Sequence, residues 1–183
     1  SIQMSDRALS NLVFLYCRHE DLLYAGSAVI PLRTRWAKRL GTKFATDLPN
    51  CPNTRHLQVA WYKESDTEEG RNAMVDRSKT RRDSSRYYGI NLHSVWYRDT
   101  VEFRFWNGTV HAGEVRSAVS VCLAMVSSAA SASHVSRSRP SGTTLKDMRA
   151  FLDRIGIDDK VIRYHMTKRY PGIRVSGVLA EAA

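Results

Sequence analysis

The hydrophobic pattern opens at helical spacing. From Asp6 onward, Leu9, Leu12, Val13 and Tyr16 recur at steps of three and four, one apolar stripe of a helix expected to end near Gly26. A shorter helix is expected over Arg33, Trp36 and Ala37, and Asp47 to Thr54, with two prolines and two asparagines, reads as a loop. His56 to Tyr62 has the composition of a strand. Residues 63–85 are highly charged and poor in large apolar groups, a connection in which Glu68 to Val75 suits a solvent-facing helix.

From Tyr87 the period changes to two. Tyr88, Ile90 and Leu92 share one face of a first run, and Val101, Phe103 and Phe105 share one face of a second, which predicts two adjacent strands. Tyr97 to Thr100 reads as a tight connection between them, and Asn107-Gly108 as the turn that closes the second. Helical spacing then returns: Val115, Val119, Cys122, Leu123 and Val126 mark a long helix over Ala112 to Ala130, expected to cover the apolar face of the sheet. Leu145, Met148, Phe151, Leu152 and Ile155 form another stripe ending at Gly156. Asp158 and Asp159 are placed to cap a last helix with Val161, Ile162, His165 and Met166, stopped by Pro171-Gly172. This divides the chain into a domain at 1–136, a serine-rich linker at 137–142, a helical tail at 143–174 and a disordered terminus at 175–183. The fold class is α+β, an antiparallel sheet with covering helices.

Composition narrows the function classes. A chain of 183 residues with 43% hydrophobic and 25% charged residues suits one domain with a sizeable core, two small lobes being the alternative. No run of about 18 apolar residues predicts a membrane span, and no basic-then-apolar leader is seen, which points to the cytoplasm. Cys17, Cys51 and Cys122 are odd in number and form no CxxC pair, against a disulfide framework or a thiolate zinc site. The net charge of +10 attracts anions of every kind, and its clusters at Arg33–Lys43, Arg77–Arg86, Arg137–Arg139 and Lys160–Arg174 form no single stripe.

One pair of residues carries candidate chemistry. On the strand from Thr100 to Trp106, Glu102 and Arg104 share the face opposite Val101, Phe103 and Phe105, about 7 Å apart at a rise of about 3.3 Å per residue. A carboxylate is a hard oxygen donor suited to Mg²⁺, and a guanidinium grips phosphate through two parallel hydrogen bonds. The pair also fits an ordinary surface ion pair, and two residues do not decide between these readings.

A longer stretch carries a resemblance. Arg86-Tyr87-Tyr88-Gly89-Ile90-Asn91-Leu92, followed by Thr100-Val101-Glu102-Phe103-Arg104-Phe105-Trp106-Asn107-Gly108-Thr109, is similar to the amidoligase pattern R-Y-x-G-[IL]-N-L and T-[IV]-E-F-R-x-x-N-G-T. The flanks agree more loosely: a leucine-rich helix with Glu20-Asp21, then an arginine segment at Arg35 to Leu40. The resemblance implies a glutamine synthetase-like catalytic-domain fragment, the later half of such a domain. It also implies an ATP- and Mg²⁺-dependent ligase that joins a carboxylate to an amine through an acyl phosphate. Carried over by residue, Glu102 matches the metal-binding glutamate and Arg104 the arginine expected on the transferring phosphate. Arg86 matches a phosphate or substrate-carboxylate contact. Arg35 and Arg39, four apart on a helical face, are secondary candidates for the nucleotide phosphates, and Asn91 for orienting the ligand. Asn107 either orients substrate or holds a turn, Thr109 suits a helix cap, and His93 is expected on the strand face of Asn91 as a satisfied polar residue.

The partners implied are small-molecule or peptide carboxylates and amines. A half-domain also predicts self-association, or a separate polypeptide that completes the sheet. Two other readings remain: a basic nucleic-acid-binding module, for which Tyr87, Tyr88, Trp96, Tyr97 and Trp106 supply aromatic rings, and a degenerate, non-catalytic domain that keeps the fold.

Overall fold

The hydroxyl of Ser5 accepts a hydrogen bond from the Ala8 N–H, and Asp6 puts a negative charge in the first turn of helix α1 (Asp6–Gly26), where the helix dipole favours it. Every residue from Ala8 to Cys17 is buried. A helix enclosed on all sides lies at the centre of a fold, and α1 packs against four later helices. In the computed structural model, residues 4–41, 44, 53–63, 67–135 and 142–168 are described. Most of the expected loop at 47–54, Cys51, the linker at 137–142 (bar its last residue), the Pro171-Gly172 stop and the terminus at 175–183 lie outside them.

After α1, Pro31–Arg35 forms a short 3-10 turn in place of the helix expected through Ala37. Pro31 starts it, and the chain leaves it at Trp36. His56 to Tyr62, expected as a strand, belongs to helix α2 (Thr54–Tyr62). Asn53 accepts the His56 N–H to start that helix, and Leu57 and Trp61, four apart, bury on one side of it. Burial at helical spacing overrides the strand propensity of Val59, Trp61 and Tyr62. Helix α3 (Glu68–Ser78) has Thr67 as its cap and mainly exposed residues, as its charge predicts.

The two period-two runs do pair as antiparallel neighbours, but briefly. Strand β1 (Ile90–Asn91) pairs with β2 (Glu102–Phe103) in the register Ile90 to Phe103 and Asn91 to Glu102. Arg104 N–H donates to the Gly89 carbonyl at 2.7 Å, and Lys38 bridges in parallel to Tyr88, so Gly89 sits between two neighbouring segments. Helix α4 (His93–Arg98) occupies the stretch expected to be strand end and loop, and Asp99 at φ 56° ends it.

Helix α5 (Ala112–Ser131) runs where expected, but its buried stripe is Ser117, Val121, Met125 and Ala129. It packs against α1 and the last helix; over Phe105, two residues past β2, lie the rings of Tyr16 and Tyr24 of α1, each 5.9 Å away. Helix α6 (Leu145–Arg154) starts with a reciprocal Thr144–Asp147 capping box, and helix α7 (Lys160–Thr167) with Asp159, which accepts from Val161 and Ile162. Met148, Phe151, Leu152, Ile162 and Met166 join the same core as α1. The architecture is α+β: mostly helical, with one small antiparallel sheet. Among the described residues no helix is long and apolar enough to cross a membrane.

Candidate functional site

Asn91 and Glu102 oppose each other in the strand register, so their side chains leave the sheet on one face, and Arg104 follows two residues on. Glu102 is held on both sides. Its Oε1 accepts from Arg104 Nη1 at 2.9 Å and its Oε2 from Asn91 Nδ2 at 2.7 Å. The same Asn91 amide donates to Ser94 Oγ at 2.8 Å, in the first turn of α4. Three residues nominated from the sequence are thus brought into one hydrogen-bonded row.

Arg104 is the more enclosed of the ion pair, its side chain 13% exposed against 46% for Glu102. Its Nε donates to the Trp36 carbonyl at 3.1 Å, while its own carbonyl accepts from Arg33 Nε at 3.2 Å and Nη2 at 3.0 Å. The 3-10 turn is therefore fastened to the end of β2 through both side chain and backbone. Arg33 and Trp36 were not candidates on sequence grounds; the contact spans about seventy residues, and no local pattern announces it.

Tyr87 links Arg86 to this row. The guanidinium carbons of Arg86 and Arg104 each lie 5.6 Å from its ring centroid, and Trp36 meets the ring edge-on at 5.1 Å. Arg86 Nη1 donates to the Arg81 carbonyl at 2.9 Å, and its Nε is buried with no hydrogen-bond partner. Arg35 and Arg39 do not share a helix face. Arg35 is exposed at the end of the turn, and Arg39 pairs with Asp21 and lies 4.4 Å over the Tyr24 ring.

The acids of α1 hold the arginine segment in place. Buried Glu20 accepts the N–H groups of Leu40 and Gly41 at 2.7 Å each; burial raises its pKa while those two bonds oppose the rise. Asn107 clamps the chain: its Oδ1 accepts the Ile30 N–H, and its Nδ2 donates to the carbonyls of Ser27 and Ala28. Thr109 Oγ1 accepts the His111 N–H at the entry to α5. His93, expected on a strand, sits in α4, where Nε2 is 2.9 Å from the Thr80 carbonyl and Nδ1 is 2.6 Å from the Tyr62 hydroxyl. A carbonyl only accepts, so Nε2 carries the proton and the Tyr62 hydroxyl donates to Nδ1. Burial lowers the His93 pKa, in keeping with this satisfied neutral ring.

Among the described residues no three His, Cys, Asp or Glu side chains gather to hold a metal. The row offers one carboxylate, half-exposed Glu102, and beside it Asn91 Oδ1, a buried carbonyl oxygen with no hydrogen-bond partner. Mg²⁺ is commonly held by one or two protein oxygens, with water and substrate phosphate completing its shell, and this donor set fits that use and no larger centre. A separate cavity of about 40 Å³, lined by residues including Gly26, Trp106, Asn107, Glu114 and His165, contains neither Glu102 nor Arg104.

A family model described as "putative amidoligase enzyme" matches residues 2–126, a span that includes α1, the arginine turn, both strands and most of α5. No curated protein and no solved structure matches the chain.

Proposed function

The chain belongs to the amidoligase family, and on that premise we propose that it serves an ATP- and Mg²⁺-dependent ligation of a carboxylate to an amine. The observation that carries the reading is the row Asn91–Glu102–Arg104, in which a half-exposed carboxylate and an enclosed guanidinium are bonded to each other on one sheet face. Arg104 and Arg86 bind the transferring phosphate, Glu102 supplies one metal ligand, and Asn91 fixes the Glu102 carboxylate. When bound, magnesium–ATP would supply its γ-phosphoryl group to a carboxylate oxygen with release of ADP, and the amine would then displace inorganic phosphate to form the amide. Arg104 is pre-positioned by Trp36 and Arg33, so its charge meets the growing negative charge without reorganising. Arg86 brings a second positive charge to the other side of Tyr87. Arg35 and Arg39 serve the outer phosphates, the substrates are small-molecule or peptide carboxylates and amines, and the site of action is the cytoplasm. The sheet is read as part of a glutamine synthetase-like catalytic domain.

Calorimetric titration with ATP, in the presence and absence of Mg²⁺, tests the reading, together with ADP release over a panel of carboxylates and amines. Saturable, Mg²⁺-dependent binding that Arg104→Ala weakens by about 10-fold or more supports it. No binding, or binding indifferent to Arg104→Ala, overturns it.

A further inference from the structure

Of the four tryptophans, only Trp36 is exposed. Trp61 and Tyr88 meet at 5.3 Å, Trp96 packs on Tyr62 at 5.4 Å and Trp106 on Phe105 at 4.7 Å, so these rings serve the interior. Trp36, at the end of the 3-10 turn, is 49% exposed and meets Tyr87 edge-on.

This open ring stands among cations. Arg86 and Arg104 flank Tyr87, and beyond them Arg35, Lys38, Arg81 and Arg82 are exposed and form no ion pair among the described residues. Hydrogen bonds tie the segments into one surface: the Lys38 N–H donates to the Tyr87 carbonyl at 2.7 Å, and Arg86 Nη1 to the Arg81 carbonyl at 2.9 Å. The neighbouring acids are already matched, Glu102 with Arg104, Asp83 with Arg77 and Asp21 with Arg39. A positive field therefore surrounds an aromatic face.

A ligand that answers both features carries repeated negative charge and a planar ring to lie on the indole. An acidic peptide meets the cations and leaves Trp36 bare. A nucleic-acid duplex has the charge but keeps its base faces stacked inside. A lone nucleotide is commonly enclosed in a concave pocket, whereas this surface is open, and the cavity at His165 does not include it. A single strand presents unstacked bases between phosphates, which suits an open face that is cationic and aromatic at once.

We propose that Trp36 is a base-stacking platform for a single-stranded nucleic acid, whose phosphates on either side of the stacked base are held by Arg35, Lys38, Arg81 and Arg82. Neither kind of contact uses the 2′-hydroxyl, so RNA and DNA strands are bound alike. The surface borders the Asn91–Glu102–Arg104 row, but it rests on residues outside that row and does not depend on the ligase reading.

Fluorescence anisotropy with labelled oligodeoxythymidylate and oligouridylate of about 12 nucleotides, without ATP or Mg²⁺, tests it. Both should bind with micromolar Kd at about 50 mM salt, and the Kd should rise with salt at a log–log slope of about 2–3, for three or four phosphates at about 0.7 each. Trp36→Ala should raise the Kd about 10-fold and leave that slope unchanged, and Trp36→Phe, which keeps a ring, should recover most of the loss. The double variant Arg81→Ala, Arg82→Ala should instead lower the slope by about 1.4, the share of two phosphates. Arg149→Ala, at an exposed position on α6, should change neither quantity. Circular dichroism should be the same for all of these proteins, because every replaced side chain is exposed. No binding at low salt, a duplex of the same length bound as tightly, polyglutamate displacing the strand as well as an unlabelled strand does, or a Kd indifferent to Trp36→Ala overturns the proposal.

Discussion

Arg33 holds Arg104 by its backbone: two guanidinium nitrogens of the first donate to the carbonyl oxygen of the second, at 3.2 and 3.0 Å. A planar fork of donors around one acceptor fixes direction as well as distance. Since Arg104 also reaches back to the Trp36 carbonyl at 3.1 Å, turn and strand end position each other. Arg33→Ala should therefore act through Arg104. We expect turnover to fall by about 10-fold while the protein stays folded, and Arg33→Lys, which keeps the charge but not the fork, to recover only part of the loss. Steady-state kinetics beside a thermal melt would check this. Equal rates in all three proteins would show that the clamp does not serve the site.

Glu102 and Arg104 should separate in their effects. Glu102→Gln keeps the shape and removes one anionic oxygen, so magnesium–nucleotide binding should weaken about 10-fold, with less effect on nucleotide alone. Arg104→Lys keeps the charge and loses the bidentate grip, so turnover should fall more than nucleotide affinity. Calorimetry with and without Mg²⁺, set beside kcat, distinguishes the two. Wild-type behaviour in both variants would make the pair an ordinary ion pair.

What was legible in the sequence follows the physics of each element. Helices α1, α3, α5, α6 and α7 could be read because their stripes or caps are local: Leu9, Leu12, Val13 and Tyr16 for α1, Asp159 for α7. The pairing of the two runs was legible as alternation, and so was the shared face of Glu102 and Arg104; that Asn91 joins them depends on the register that sets it opposite Glu102, which alternation does not fix. Helix α2 was not, because Val59, Trp61 and Tyr62 suit a strand equally well until burial of Leu57 and Trp61 is known. The stripe Val115, Val119 and Leu123 located α5 correctly and its buried side wrongly; small Ser117 and Ala129 allow close packing on α1 and α7, and hydrophobicity alone does not reveal that. Arg33 and Trp36 escaped because nothing local marks a contact with β2.

Gly89 offers a stability test beside the site. A Cβ there would lie 2.2 Å from the Tyr16 hydroxyl oxygen and 2.3 Å from that of Tyr24, both on rings packed against Phe105. The Tyr24 hydroxyl cannot withdraw freely, because it donates to the Ala37 carbonyl at 2.7 Å. Gly89→Ala should destabilise the fold by about 1–3 kcal/mol, the usual range for overpacking. Tyr16→Phe in the same chain removes one of the two blocking oxygens and should restore part of the loss. Denaturant unfolding of the single and double variants reads this out; a Gly89→Ala protein as stable as wild type would contradict the packing described.

His19 sets a pH dependence whose direction follows from its surroundings. The ring is 4% exposed on α1 and lies 4.7 Å from the ring of Phe151 on α6. Burial, with lesser contributions from the charges of Arg18 and Arg154, lowers its pKa from the ordinary 6.5 to about 4. A base whose folded pKa is depressed binds its proton more readily when unfolded, so acid favours the unfolded chain. Its contribution to stability should be full above pH 6.5, fall as the pH drops through the window from 6.5 to about 4, and level off below that. Replacing His19 by Leu removes the titrating group from both states and should flatten that part of the curve, whatever the change in absolute stability. Urea unfolding at half-unit steps of pH, wild type against His19→Leu, would measure the two slopes; identical slopes would mean that His19 is not held neutral by the core.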